Sequence, residues 1–297
     1  MKKLLLAVVM IFAAAAIFLG PPLRSAFAGT AVDITLGRAP MHPTQAALNF
    51  MLDEPGDAAL VAKKKTKLWA TYYHMPTVRP SWTSVAAKPL IDRNGKAVSP
   101  PLAIKDWCDA AMQGSVWVDN GKDAPTAYMY VDSGGPEQVQ CDRYFGDLSG
   151  NIKSATRRAR FQPFYHPQAC DVRNIPLMAF RTIAVDRDRV KMGTVYYVPK
   201  LRGKTFWSNG EFFTHDGYLI ASDTGGAIEG NHIDMFVADA GVDPFPDLVY
   251  SNSSKTFEAY VVDKSNPAAV ALHDAAEEVC KDSDRPGRKR KKPASTI

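Results

Sequence analysis

Beyond residue 66 the chain is written in short apolar or alternating runs, separated by glycine- and proline-rich turns. Such runs read as strands. They fall at Lys67–Tyr73, Phe180–Asp186, Gly193–Val198, Tyr218–Ala221, Ile233–Val237 and Phe257–Val262. Helical spacing is rarer. Leu102–Met112 has one apolar face and a stop at Gly114, and Pro267–Cys280 is capped by Ser265 or Asn266. Thr44 caps a short helix through Met51. Residues 76–150 are irregular, punctuated by Pro76, Pro80, Pro89, Pro100 and Pro101, with an alternating pair at Ser115–Val118 and Ala127–Val131 that reads as a hairpin. Residues 199–217 read as a loop. The pattern predicts a mainly β fold: a compact barrel over 67–280, interrupted at about 76–179 by a large loop and hairpin insertion and flanked by peripheral helices.

The ends of the chain change the picture. Lys2 and Lys3 precede an apolar run from Leu4 to Leu19, and Ala26-Phe27-Ala28 closes it. This is the order of a secretory signal peptide, 1–28, cleaved before Gly29 and followed by a leader over 29–66. An exported protein of the periplasm or cell envelope is implied. The formal charge is +5 overall, but residues 1–28 hold +3 and the tail from Lys281 holds +5, leaving the body at −3. A mildly acidic body argues against a nucleic-acid reader, whose basic residues spread over a folded face. The tail, 281–297, reads as a disordered basic arm for an anionic envelope polymer or membrane surface. Cys108, Cys141, Cys170 and Cys280 are an even number in an oxidising compartment, which predicts two disulfides. Of three connectivities, Cys108–Cys141 with Cys170–Cys280 is preferred.

The chemistry concentrates at 218–238. Two apolar runs flank a turn holding Gly225, Gly226 and Gly230, and each carries a carboxylate at its turn-facing end, Asp223 and Asp234. Two strands so joined bring both carboxylates to one surface. A carboxylate beside apolar walls and a second negative charge becomes a weaker acid, able to hold a proton near neutral pH. The blander reading is a turn in which an aspartate bonds its own backbone. An aspartic-peptidase pair is not encoded, because Asp-Thr-Gly occurs once. His74, His215 and His232 lack further ligands at metal-site spacing, so neither a metal nor a cofactor is predicted.

Three pieces in order carry a resemblance: Ala70-Thr-Tyr; Ile183-Ala-Val-Asp186 with Met192-Gly-Thr-Val-Tyr; and Asp223-Thr-Gly-Gly-Ala-Ile-Glu-Gly with Ile233-Asp234. Together they resemble the three-aspartate domain at the C-terminal end of the membrane-bound lytic transglycosylase A family, and that of the related stationary-phase survival proteins. The resemblance implies a double-psi β-barrel and non-hydrolytic cleavage of the β-1,4 bond between N-acetylmuramic acid and N-acetylglucosamine in peptidoglycan. It assigns the family's three aspartates to Asp186, Asp223 and Asp234, with Asp234 as the essential acid. Thr224, Gly225, Gly226, Tyr73 and His232 become candidate substrate contacts, and glycan strands the partner. The region 76–179 and the basic tail lie outside the resemblance. The competing class is a barrel that binds glycan or an envelope partner without cleaving it.

Overall fold

The computed structural model of the chain describes residues 49–56, 65–146, 148–164, 177–208, 211–238 and 245–281. All of them lie in one unit spanning Met41–Ile297. The expected signal peptide, most of the leader and the tail beyond Lys281 fall outside the described residues, as does the helix expected from Thr44 up to residue 48; its last residues, 49–51, are described and are not helical.

Six strands build the main sheet: β1 (Lys65–Tyr73), β6 (Thr182–Val185), β7 (Val195–Tyr197), β10 (Tyr218–Asp223), β11 (His232–Phe236) and β12 (Phe257–Val261). They pair in the order β1-β11-β6-β10-β7-β12, and β12 pairs back onto β1. The β1/β11 and β10/β6 pairs are parallel and the other four antiparallel. Period-two alternation sends Leu68, Ala70, Ile183, Val185, Leu219, Ala221, Ile233 and Met235 into one shared core. The opposite side chains, Trp69, Thr71, Tyr73, His232 and Asp234, are left for the outer face. Helix α4 (Pro267–Lys281) covers Tyr197, Tyr218 and Ile220 with Ala268, Ala269, Leu272 and Ala275. Asn266 caps it, its Oδ1 accepting from the Ala268 amide at 2.9 Å.

The inserted region forms a second sheet in the order β2 (Thr77–Val78), β3 (Ser115–Val118), β4 (Thr126–Asp132) and β5 (Arg160–Phe164). Helix α1 (Ile104–Gln113) packs on it and ends where Gly114 takes the left-handed conformation, φ 77°, closing the last turn. Two shorter helices, α2 (Asp142–Phe145) and α3 (Gly150–Arg157), follow β4. Trp107, Cys108, Val116, Tyr128, Cys141 and Phe161 form a separate core under this sheet. The Cys108–Cys141 disulfide crosses that core and closes 33 residues, a constraint worth about 4 kcal/mol in the chain-entropy picture. The other expected bridge rests on Cys170 and the Cys280 side chain, outside what is described.

The pairing of β12 onto β1 closes the main sheet, and the expectation of a mainly β, double-psi β-barrel with a loop and hairpin insertion is corrected in its pairing and in its insertion. The described chain is a mixed sheet, mostly antiparallel and partly parallel, with helices. The expected hairpin is present as β3 with β4; β2 and β5 extend it to a four-stranded sheet, along which Val116, Val118, Tyr128 and Phe161 alternate into a separate apolar core. The loop expected at 199–217 holds a further antiparallel pair, β8 (Thr205–Ser208) with β9 (Glu211–Thr214).

Beneath it lies a buried ion pair. Both guanidinium Nη atoms of Arg181 reach Asp216, at 2.8 and 2.7 Å, and Asp216 also accepts from the Leu52 amide at 3.0 Å. His215 is fully buried, and burial holds its imidazole down at about 4, so it is neutral near pH 7. Its Nε2 sits 2.8 Å from the Phe180 carbonyl and its Nδ1 accepts from the Gly217 amide. His215 and Asp216 therefore brace the fold.

Candidate active site

Asp223 and Asp234 reach one face by a route the sequence does not announce. Strands β10 and β11 are not a hairpin; β6 runs between them. On one side Asp234 is the register partner of Ala184, and on the other Asp223 is. Two strand spacings thus separate the aspartates' backbones, roughly 10 Å, with only the methyl of Ala184 between them. The register slips at Ser222, between the pairs Ala221–Ile183 and Asp223–Ala184. Without that bulge Ser222 would oppose Ala184, and strict alternation would turn Asp223 toward the core. Ser222 is itself buried, its hydroxyl 3.1 Å from that of Thr182.

Each carboxylate is held differently. Asp223 Oδ2 accepts from the Tyr73 hydroxyl at 2.5 Å, and its Oδ1 from the Thr224 amide at 2.7 Å. Asp234 is half-buried, and its Oδ1 accepts from the Thr71 hydroxyl at 2.6 Å. Burial pushes its carboxyl up to about 6; the Thr71 bond works against that shift and the negative charge of Asp223 adds to it. The Thr71 oxygen also lies 2.9 Å from His232 Nε2, and the imidazole stacks on Trp69 with centroids 3.6 Å apart and planes 6° from parallel.

Asp186 stands apart from this pair. Its Oδ2 accepts from the Gly230 amide at 2.8 Å and its Oδ1 from the Asp188 amide at 3.0 Å, with Arg189 3.7 Å away. Those backbone bonds hold its carboxyl below the usual range. The geometry is that of a staple between the end of β6 and the glycine loop. Thr224 meets Asp223 through its backbone. Gly225 lies against buried Ile228, where a Cβ would come within 2.8 Å of Cγ1, while Gly226 faces open space. Tyr73 is buried and spends its hydroxyl on Asp223.

The outer face near the aspartates is roofed in part by the second sheet. Ala127, Met129 and Phe164 join Tyr73, Ala184, Ile228 and Phe236 in one buried cluster. The apolar residues adjacent to Asp234 in sequence, Ile233 and Met235, point instead into the main core. The cluster that joins the two sheets thus lies beside Ala184, the register partner of both aspartates. Sequence reasoning gave no role to Thr71. Its one signal is alternation, which places a hydroxyl among Trp69 and Tyr73 on the face opposite Leu68 and Ala70.

Residues 181–241 match the 3D domain family. That span holds β6, β7, β10 and β11 with all three aspartates. No curated protein matches the chain. Among solved structures it is similar to MltA of E. coli with bound chitohexaose, at 16% identity over 66% of this chain and 72% of that one, TM-score 0.43. It is also similar to a membrane-bound lytic murein transglycosylase from Agrobacterium tumefaciens, at 15% identity over 70% and 76%, TM-score 0.41. A third is the lytic transglycosylase LtgG of Burkholderia pseudomallei, at 15% identity over 68% and 73%, TM-score 0.35.

Proposed function

We propose that the protein is a peptidoglycan lytic transglycosylase in which Asp234 is the single acid and base. The observation that carries this reading is the half-buried Asp234 carboxyl, raised to about 6 and set across Ala184 from Asp223. A carboxyl at that value holds a proton near neutral pH and still gives it up, as a general acid must. An ordinary glycosidase requires two carboxyl groups, one of them to activate water or to attack. When the muramic acid C6 hydroxyl is the nucleophile, one suffices. Asp234 protonates the leaving glycosidic oxygen as the C1–O bond breaks. It then takes the proton of the C6 hydroxyl as that oxygen closes on C1, giving a 1,6-anhydro product and regenerating the acid.

In this reading Asp223, fixed by Tyr73 and Thr224, supplies a stationary negative charge toward the developing oxocarbenium. Asp186 keeps the glycine loop in place. Glycan strands are the partner, and the compartment is the cell envelope.

The test is incubation of the protein with purified peptidoglycan, with Asp234→Asn alongside, and mass spectrometry of the soluble products. Anhydro-muropeptides from the unaltered chain alone are expected. Reducing-end products would replace this mechanism with hydrolysis. Co-sedimentation with glycan and no soluble product would replace it with a binding module.

A further inference from the structure

His232, Thr71 and Asp234 form a chain of groups whose protons can be counted. Nε2 of His232 is 2.9 Å from Thr71 Oγ1, which is 2.6 Å from Asp234 Oδ1. Both are hydrogen-bond lengths, and the second falls in the short range of charge-assisted bonds. A threonine hydroxyl carries one hydrogen. Burial holds the His232 imidazole below its ordinary value, and a backbone hydrogen bond with Ala227 works against that shift, so a carbonyl accepts from a ring N–H. With Nε2 committed to Thr71, that N–H is on Nδ1. A neutral imidazole protonated at Nδ1 presents a bare lone pair at Nε2. The single Thr71 hydrogen then faces two acceptors, Nε2 and Oδ1. One of the two contacts is empty unless the group holds one more proton.

There are two ways to place it. On Asp234, Oδ1–H donates to Oγ1 and the Thr71 hydrogen donates to Nε2, leaving every member neutral. On His232, Nε2–H donates to Oγ1 and the Thr71 hydrogen donates to an ionised Oδ1. Shifting both bridging hydrogens converts one arrangement into the other with no net loss or gain. We propose that His232 is a positioning residue for the acid: it shares one proton with Asp234 through the Thr71 hydroxyl and so raises the proton affinity of the carboxyl.

This rests on Asp234 being the acid. Removing the proton from the trio leaves two lone pairs, on Nε2 and Oγ1, facing each other at 2.9 Å. That cost keeps the carboxyl loaded before cleavage and favours its taking the C6 hydroxyl proton afterwards. The Trp69 ring, stacked flat on the imidazole, holds Nε2 in line with Oγ1. Of the other charged or titratable groups nearby, Asp223 at the end of β10 acts on Asp234 through its charge and Tyr73 on β1 bonds Asp223; Glu229 meets His232 only through its backbone carbonyl, and Asp186 bonds Gly230. None of these is placed between Nε2 and Oδ1.

The test uses the full chain labelled with 15N-histidine, its ring nitrogens followed by NMR from pH 4 to 9, with His232→Gln assigning the signal. The His232 shifts are expected to carry an inflection at the titration of Asp234, absent in Thr71→Val and in Asp234→Asn. Identical His232 curves in the unaltered chain and in Thr71→Val overturn the proposal. A parallel readout is kcat/KM on peptidoglycan against pH. The side-chain amide introduced by His232→Gln can donate to Thr71 at every pH, which favours ionised Asp234. The alkaline limb is therefore expected to fall by about one pH unit, the scale of a single hydrogen bond. A histidine of merely structural importance lowers activity equally at all pH. An inflection without any turnover upholds the proton sharing and removes only the enzymatic reading. Turnover with neither inflection nor limb shift removes the proton sharing and leaves the enzymatic reading standing.

Discussion

Asp234 is destabilising where it is useful. Its folded-state value, about 6, lies above the ordinary 3.8, so the folded state binds the proton more tightly than the unfolded chain. The sign follows from linkage: the native state is favoured below pH 4, and that advantage is lost as pH rises through 6. By pH 8 the full difference, on the order of 3 kcal/mol for about two pKa units, opposes folding. Asp234→Asn removes the titration while keeping a polar side chain beside Thr71. The variant is expected to melt above the unaltered protein at pH 8 and to lose that advantage at pH 4. Calorimetric scans at the two values check it; equal gains at both would mean that the carboxyl is not penalised by burial. The two carboxylates were legible as residue types beside apolar runs, and Asp223 as one whose neighbour's amide it holds. Thr71 was not legible, since a threonine in an aromatic strand carries no mark of a hydroxyl facing a carboxylate 163 positions away.

Strand existence was written plainly, and strand partnership was not. The alternation of 218–223 and 232–236 is local, and the observed β10 and β11 sit there. Their separation by β6 is a long-range pairing that depends on Thr182–Val185 finding both of them, and no local pattern encodes it. The bulge at Ser222 is equally silent, because a serine in a strand reads the same whether paired or extruded. In contrast, β8 and β9 had a signal that went unused: Asn209-Gly210 between two aromatic runs is a strong hairpin dipeptide. The glycine loop supplies a paired prediction. A Cβ on Gly225 meets Ile228 Cγ1 at 2.8 Å, and Ile228 is locked in the cluster shared with Tyr73 and Ala184. Gly225→Ala is expected to cost about 1–3 kcal/mol by overpacking and to reduce turnover by disturbing the Thr224 amide beside Asp223. Gly226→Ala, with open space at its Cβ, is expected to leave both unchanged. Denaturant midpoints and peptidoglycan turnover for the two variants separate a packing glycine from a bystander.

At the scale of the molecule the insertion matters more than its irregular sequence suggested. Prolines and glycines over 76–150 read as irregular chain around one helix and one hairpin, yet β5 lies beyond them and extends that hairpin into the second sheet. That sheet reaches the candidate site through Ala127, Met129 and Phe164, packed with Tyr73, Ala184 and Phe236. If this packing excludes water from Asp234, the inserted sheet helps to make a carboxyl on an outward-facing strand a weak acid. Met129 tests the link, since it is buried on β4 and takes no part in the hydrogen bonds that hold either carboxylate. Met129→Ala is expected to cost about 2–5 kcal/mol of stability. It is also expected to admit solvent to the cluster around Ala184, so that the Asp234 carboxyl relaxes from about 6 toward 3.8. The alkaline limb of kcat/KM then moves to lower pH even where the variant remains fully folded. Met129→Leu, which keeps the volume, should retain both the limb and most of the stability. A shift in stability alone, with the limb fixed, would place the desolvation of Asp234 within the main sheet. A shift in both ties the inserted sheet to the acid strength of a residue on β11.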